Sequence, residues 1–196
     1  MEKTLIVLAA GMGSRFGGIK QIAKIGDNGE MLLDFTLQDA INSGFTDVIY
    51  VIRKEIEEDF QSLIGNRYQN KLKTQYIYQE IDPSRTKPRG TGQALSLAVP
   101  LLAWPCLVIN ADDYYGANSM QQASKWLETC KSDTFGMVAY VLEKTLSENG
   151  TVNRGISTIE DTYLQTIDET FWISRTVDGL QDRDGKEVLP ESLVSM

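Results

Sequence analysis

Three stretches of the chain carry residue types that could handle phosphate esters. The first runs Leu8-Ala9-Ala10-Gly11-Met12-Gly13-Ser14-Arg15-Phe16-Gly17-Gly18-Ile19-Lys20-Gln21. Glycines at this density let a backbone approach a ligand and turn its N–H groups toward anionic oxygens. Two familiar phosphate loops fail on spacing. A dinucleotide-binding G-x-G-x-x-G needs glycine where Phe16 stands, and a Walker A loop needs Gly-Lys followed by Ser or Thr, which Lys20-Gln21 does not supply. What remains is a glycine loop with two cations, Arg15 and Lys20, suited to the phosphates of a nucleotide. The plainer alternative is a tight strand-to-helix turn with solvated charges.

The second stretch is Val108-Ile109-Asn110-Ala111-Asp112-Asp113-Tyr114-Tyr115-Gly116. A carboxylate directly after a buried strand stands where a sheet opens to ligand. An oxygen donor there suits Mg2+, which keeps most of its waters and borrows oxygens from substrate phosphates. The competing reading is an Asp-rich turn that caps a helix near Ser119. The third stretch is Tyr78-Gln79-Glu80, followed by Lys87-Pro88-Arg89-Gly90-Thr91-Gly92-Gln93-Ala94. Gln79 at a strand end offers donor and acceptor to the edge of a base. Gly90-Thr91 opens a helix whose first N–H groups favour a polar or anionic partner, although Thr is also an ordinary N-cap residue.

The elements that must position these residues alternate. Thr4 to Ala9, Val48 to Ile52, Leu72 to Tyr78, Cys106 to Asn110 and Phe135 to Leu142 read as strands. Leu33, Leu37, Ala40 and Ile41 fall at helical spacing before a stop at Gly44, and Ile56, Phe60, Leu63 and Ile64 do so before a stop at Gly65. Thr91 to Leu102 and Ser119 to Cys130 read as further helices. This alternation argues an α/β fold with a mostly parallel sheet covered on both faces. Ligands in such sheets bind beyond the carboxyl ends of the strands. After Gly150 the pattern changes: Ile156 to Ile159 and Tyr163 to Ile167 flank Glu160-Asp161-Thr162, which reads as an antiparallel element around a turn.

Composition narrows the chemistry. The chain has 196 residues, 42% hydrophobic, enough for one core without staples. It has no histidine, which removes imidazole acid–base chemistry and His-based metal sites. Cys106 and Cys130 lack metal-site spacing and read as reduced thiols of a cytoplasmic protein. No apolar run approaches a membrane span. The net charge is −8 and no basic patch marks a nucleic-acid surface. An acidic protein that handles phosphates must therefore neutralise them locally, with placed cations, backbone N–H groups and a divalent ion.

Together the three stretches resemble the sugar-phosphate nucleotidyltransferases, relatives of glucose-1-phosphate thymidylyltransferase. That family's L-A-G-G-x-G-T-R loop is similar to Leu8 to Arg15, with Ala10 for one glycine and Ser14 for threonine, and its following Lys-Gln or Lys-Pro to Lys20-Gln21. The segment between, Phe16 to Ile19, is shorter than in most members. Gln79 with Gly90 to Ala94, Ala111-Asp112, Gly155 and Glu169 resemble further family motifs. The variants LAAGMGSRFGG and INADDYYG resemble a less characterised branch.

The resemblance implies a three-layer α/β/α Rossmann-like nucleotidyltransferase fold with a mostly parallel, mixed central sheet, and a single domain over residues 1–196. It also implies in-line attack by a sugar-1-phosphate oxygen on the α-phosphorus of an NTP, with release of pyrophosphate. Arg15, Lys20 and Asp112 would be catalytic: Arg15 on the departing phosphates, Lys20 at the α-phosphate, Asp112 on Mg2+. Ala9, Ala10, Gly11, Gly13, Ser14, Gln79, Gly90 and Thr91 would contact the nucleotide. Asp113, Gly155 and Glu169 would contact the acceptor. Oligomeric state is left open, with a homo-oligomer allowed.

Two departures from the family pattern stand out. Thr170 takes the place of the lysine in Glu-Lys-Pro, so that contact is missing or comes from Lys144 or Arg175. The second metal carboxylate has no counterpart, and the chain is expected to lack its C-terminal part. Other readings are a cytidylyltransferase for phosphocholine, for which Tyr114, Tyr115, Phe171 and Trp172 could form an aromatic cage, a glycosyltransferase, which would usually carry Asp-x-Asp, and a nucleotide-binding module with a dead site.

Overall fold

The computed structural model describes residues 1–10, 26–80, 84–85, 90–102, 105–177 and 179–195. They fall into two compact units, Met1–Ser132 and Asp133–Met196. In the first, strands β1 (Thr4–Leu8), β2 (Asp47–Ile52), β3 (Lys73–Tyr78) and β4 (Cys106–Asn110) form one sheet in the order β3-β2-β1-β4. All three pairings are parallel. Leu5 to Val7 and Val48 to Ile52 have no exposed surface, which is why these strands read as unbroken apolar runs rather than alternating ones.

Helices cover both faces. Helix α1 (Leu32–Asn42), a helical stretch over residues 54–68 and α5 (Ala117–Thr129) cover the face of Leu5, Val7, Tyr50 and Ile52. Helix α4 (Thr91–Ala98) covers the opposite face, packing Ala94 and Ala98 on Ile6, Ile49 and Val51. This is the three-layer α/β/α arrangement. Each fully buried Leu, Ile, Val or Phe contributes roughly 1.5–3 kcal/mol relative to leaving it in water. No helix among the described residues is long and apolar enough to cross a membrane.

Gly44 ends α1 as its sequence position predicts. It sits at φ 85°, and the Phe45 N–H reaches Ala40 O while the Gly44 N–H reaches Ile41 O, a Schellman closure completed by the burial of Phe45. Gly65 is different: the helix does not close there. Residues 54–68 run from a 3-10 turn through α2 (Glu57–Phe60) and a π turn at Gln61–Gly65 into α3 (Asn66–Tyr68). A Cβ on Gly65 would stand 1.8 Å from the Tyr76 hydroxyl. This glycine makes room for a side chain of β3 and does not stop the helix.

Two buried charges tie elements of this unit together. Asp34, 4% exposed, accepts from Met31 N–H at 2.9 Å, Arg67 at 2.8 Å and the Tyr68 hydroxyl at 2.8 Å. It therefore caps α1 and binds it to α3. Lys3, 3% exposed, donates to Ser124 Oγ and Glu128 Oε1, both at 2.6 Å, and Ser124 Oγ donates to the Ser43 carbonyl. This network joins the start of β1, the end of α1 and α5.

The second unit is an antiparallel sheet in the order β5-β10-β6-β7-β8-β9, made of β5 (Tyr140–Val141), β6 (Val152–Glu160), β7 (Tyr163–Thr176), β8 (Gly179–Gln181), β9 (Glu187–Val188) and β10 (Leu193–Ser195). Its core is Leu142, Ile173, Leu180, Val188 and Val194. The β6–β7 turn places Asp161 and Thr162 at φ 47° and 70°, the paired positive values that match hairpin twist. The strand expected over Phe135–Leu142 shrinks to Tyr140–Val141, which pairs with β10 and not with the parallel sheet. Phe135 is 97% exposed: an apolar run without a neighbouring edge does not become a strand.

Asp34→Ala is expected to cost about 1–3 kcal/mol in urea unfolding, because a cap and the Arg67 partner are lost and the buried Tyr68 hydroxyl keeps only its longer contact to the residue 34 carbonyl at 3.3 Å. A loss below about 0.5 kcal/mol, the scale of a neutral surface change, would contradict the role. The Lys3 hydrogen bond holds the Glu128 carboxyl below its ordinary range. The sign follows from linkage. Stabilisation by Glu128 is complete above its unfolded-state pKa of about 4.3 and is lost as pH falls through the depressed folded value. The stability gap between wild type and Glu128→Gln, from urea curves at stepped pH, should therefore close in acid; a gap constant with pH would refute the pairing.

Candidate functional site

Three backbone hydrogen bonds carry the sheet one residue past its strands. The Ala9 N–H donates to Val51 O at 2.8 Å, Gln79 N–H to Ile52 O at 2.8 Å and Ala111 N–H to Leu8 O at 3.0 Å. The chain reverses its direction of strand addition at β1, with β2 and β3 to one side and β4 to the other. The carboxyl ends of β1 and β4 therefore flank a switch point, where loops diverge and leave a crevice. Ala9-Ala10 leaves β1 on one side of it, and Asp112 follows β4 on the other. Gly11, Gly13, Ser14, Arg15 and Lys20 lie outside the described residues, as do Lys87, Pro88 and Arg89.

Asp112 and Asp113 have opposite surroundings. Asp113 Oδ2 accepts from Asn110 Nδ2 at 3.0 Å and from the Tyr115 hydroxyl at 3.4 Å. The same hydroxyl accepts the Asn110 N–H at 3.0 Å, which satisfies a backbone donor on the open edge of β4. Asp113 is thus folded back onto its own strand. Asp112 is exposed, and among the described residues its carboxylate has no hydrogen-bond partner. Neither aspartate caps α5, whose N-cap is Gly116 at φ 82° with no side-chain capping bond. The stretch does turn at Ala111-Asp112, but the helix cap expected of an Asp-rich turn is not formed by either carboxylate. No group of three or more His, Cys, Asp or Glu among the described residues could hold a metal alone. A single free carboxylate fits an ion that takes its other ligands from water and substrate phosphates.

Gln79 is 5% exposed. Its Nε2 donates to Gly90 O at 3.3 Å and to Gln93 Oε1 at 2.8 Å, so it fastens the start of α4 to the end of β3. The N-cap of α4 is Gly90, at φ 99°, and Thr91 is the first helical residue, not the cap. Among the described residues no side chain caps this helix, and leading N–H groups of a helix suit a polar or anionic ligand. Ala9, Ala10, Gln79, Gly90, Thr91 and Asp112 thus belong to one end of one sheet. Gly155 and Glu169 belong to the second unit, where they pair across β6 and β7. A Cβ on Gly155 would stand 2.5 Å from Ile167 Cγ2 and 2.6 Å from Ser195 Oγ, so this glycine also has a packing reason. Glu169 is exposed. Arg175, an alternative source of positive charge, is engaged with Glu143 at 3.3 Å.

Sequence reasoning missed the supports. Asn110 and Tyr115, which decide between the two aspartates, were not read as supports; the signal was a polar residue ending an apolar strand. Arg53 also went unmarked. It directly follows Ile52 in extended backbone, φ −93° and ψ 148°, and so brings a cation to the same carboxyl edge. The Tyr114 hydroxyl donates to Asp39 Oδ2 at 3.0 Å; burial first and Asp39 second push this phenol up. Burial likewise pushes the Cys106 thiol up, which suits an inert thiol and not a nucleophile.

Residues 4–169 match the family model described as nucleotidyl transferase. No match is found among curated protein sequences. Among solved structures, a candidate glucose-1-phosphate thymidylyltransferase from Bacillus anthracis, in complex with a sucrose, has a TM-score of 0.58 at 18% identity, covering 85% of this chain and 64% of that one. HddC from Yersinia pseudotuberculosis, complexed with GMP-PN, has a TM-score of 0.58 at 18% identity, covering 84% and 68%. The chain therefore spans less than two thirds of the first structure's length. At this identity the likeness is one of fold.

The two aspartates should separate in a stability measurement without any ligand. Asp113→Ala is expected to cost about 1–2 kcal/mol, since Asn110 and Tyr115 lose their acceptor. Asp112→Ala should stay within about 0.5 kcal/mol of wild type. The reverse order in urea unfolding would exchange their roles.

Proposed function

The chain belongs to the nucleotidyl transferase family, and on that premise we propose that it joins an NTP to a sugar-1-phosphate, releasing pyrophosphate and an NDP-sugar. The observation that carries the reading is the exposed Asp112 carboxylate at the β1–β4 switch point, on the same sheet edge as Ala9-Ala10, Gln79 and the Gly90-Thr91 start of α4. In this reading an acceptor phosphate oxygen attacks the α-phosphorus in line, and the bond to the β-phosphate oxygen breaks. The protein's share is positioning and charge neutralisation.

Lys20 would neutralise charge at the α-phosphate and Arg15 at the departing pyrophosphate. Gly11, Gly13 and Ser14 would present N–H and hydroxyl donors. Gln79 and the Gly90-Thr91 backbone would meet the base. Asp112 would hold Mg2+, which supplies charge neutralisation at the phosphate oxygens when bound. Gly155 and Glu169 would contribute to the acceptor, with Asp113 acting through its loop. The two unpaired cysteines, Cys106 and Cys130, support a reducing, cytoplasmic location.

The test is pyrophosphate release from a panel of NTPs against sugar-1-phosphates and phosphocholine, with Mg2+. Release with a sugar-1-phosphate is expected; release with phosphocholine alone, or with neither, would defeat the proposal. Lys20→Ala should lower turnover by about 10²–10³-fold with the fold intact, the scale of removing a placed electrostatic donor. Asp112→Asn should weaken Mg2+-dependent nucleotide binding by about tenfold or more, equivalent to about 1.4 kcal/mol. Asp113→Asn should do less. Equal activity in wild type and Lys20→Ala, or greater sensitivity at Asp113, would remove the corresponding assignment.

A further inference from the structure

Phe171 and Trp172 lie where β7 bulges. Val152 pairs with Ile173 and Arg154 with Thr170, so two residues of β7 oppose Asn153 alone. Trp172 has φ 57°, in the left-handed region where a bulky side chain is a true outlier. Fitted partners hold it there. The Trp172 N–H donates to Asn153 Oδ1 at 2.9 Å, and the Phe171 carbonyl accepts from Arg183 N–H at 3.0 Å. The strained backbone does not serve a core, because Trp172 is 56% exposed and Phe171 38%. Strain maintained at a surface by surrounding hydrogen bonds is a mark of a functional position.

The chemistry of the cluster is specific. The Arg183 guanidinium carbon stands 5.8 Å from the Trp172 ring centroid and 6.0 Å from that of Phe171, within cation–π range. Its Nε also donates to Asp184 Oδ1 at 3.4 Å, a long contact that leaves most of its donors to spare. The site therefore offers a rigid aromatic face beside a guanidinium fork. The negative face of an indole attracts the weakly positive C–H bonds on one side of a pyranose, and a guanidinium binds phosphate through paired N–H donors. A ligand that joins a ring with an apolar side to a phosphate matches both. Glu169 lies three residues before Trp172 on the same β7.

We infer that Trp172, with Phe171 and Arg183, forms a binding platform for a phosphorylated sugar, the ring on the indole and the phosphate on Arg183. The platform rests on the proposed transfer reaction only for the identity of its ligand.

The test uses the full chain with no nucleotide, following the Trp172 indole N–H resonance, identified by its loss in Trp172→Phe. Glucose-1-phosphate should move it saturably, at least about tenfold tighter than glucose or inorganic phosphate alone. By calorimetry, Trp172→Ala should weaken that binding at least about tenfold, Trp172→Tyr should retain it within about threefold, and Arg183→Gln should reduce it to the level of glucose. Trp172→Gly should abolish binding while holding or raising the melting temperature, because glycine adopts this φ without strain. A lowered melting temperature would make Trp172 a packing residue and overturn the inference. An unmoved resonance, or one that responds to protein concentration and not to sugar phosphate, would do the same. NTP binding with Mg2+ in the same samples separates the two claims: NTP bound with a silent indole removes the platform alone, and a titrating indole without NTP binding removes the transfer reading alone.

Discussion

The backbone of β1 is hydrogen-bonded along both of its edges, to β2 on one side and β4 on the other, and Leu5, Ile6 and Val7 have no water on either face. A strand in that position has no alternative way to satisfy its N–H and C=O groups, since an unpaired buried amide loses a hydrogen bond's worth of free energy. Everything else in the first unit follows from filling those two edges and covering those two faces. Parallel neighbours require crossover helices, and the crossovers put α1 and the 54–68 stretch on one face and α4 on the other, with α5, after β4, completing the first face. Adding strands first on one side and then on the other forces the chain to part above β1. The crevice is a consequence of topology before any side chain is considered.

Charge is distributed to suit that crevice. A protein with a net charge of −8 has to keep its carboxylates from repelling an anionic ligand. Asp34 is absorbed into the α1–α3 junction and Asp113 into the Asn110–Tyr115 turn, while Asp39 accepts from Tyr114. Asp112 remains uncommitted among the described residues of that edge. The same logic applies to Gln79, whose amide is spent inside the protein to fix the start of α4. Its value to a ligand is then partly indirect, through the exposed N–H groups it positions.

The α/β layering was legible because buried parallel strands leave continuous apolar signatures, and all four strands of the parallel sheet were located to within a residue. The position of Asp112 was legible because it follows such a strand, two residues past the end of β4. The supports were not, since Asn110, Tyr115 and Asp34 act through contacts that a linear pattern cannot display. Gly65 misled for a physical reason: a glycine that removes a clash with Tyr76 looks the same in sequence as one that ends a helix. The strained Trp172 is also invisible there, because a bulge is a property of two paired strands. Phe135 shows the converse, an apolar run whose fate depends on whether a strand edge lies beside it.

The central claim is that nucleotide phosphates meet a divalent cation at the carboxyl edge of β1 and β4. Paramagnetic broadening of assigned amide resonances, with Mn2+ replacing Mg2+ in the presence of NTP, tests it most directly. The account predicts nucleotide-dependent loss of the Ala9, Ala10, Ala111 and Asp112 signals, with Lys3, Asp47 and Lys73 at the opposite sheet end retained. Broadening centred on that opposite end, or unchanged spectra at saturating NTP, would contradict it.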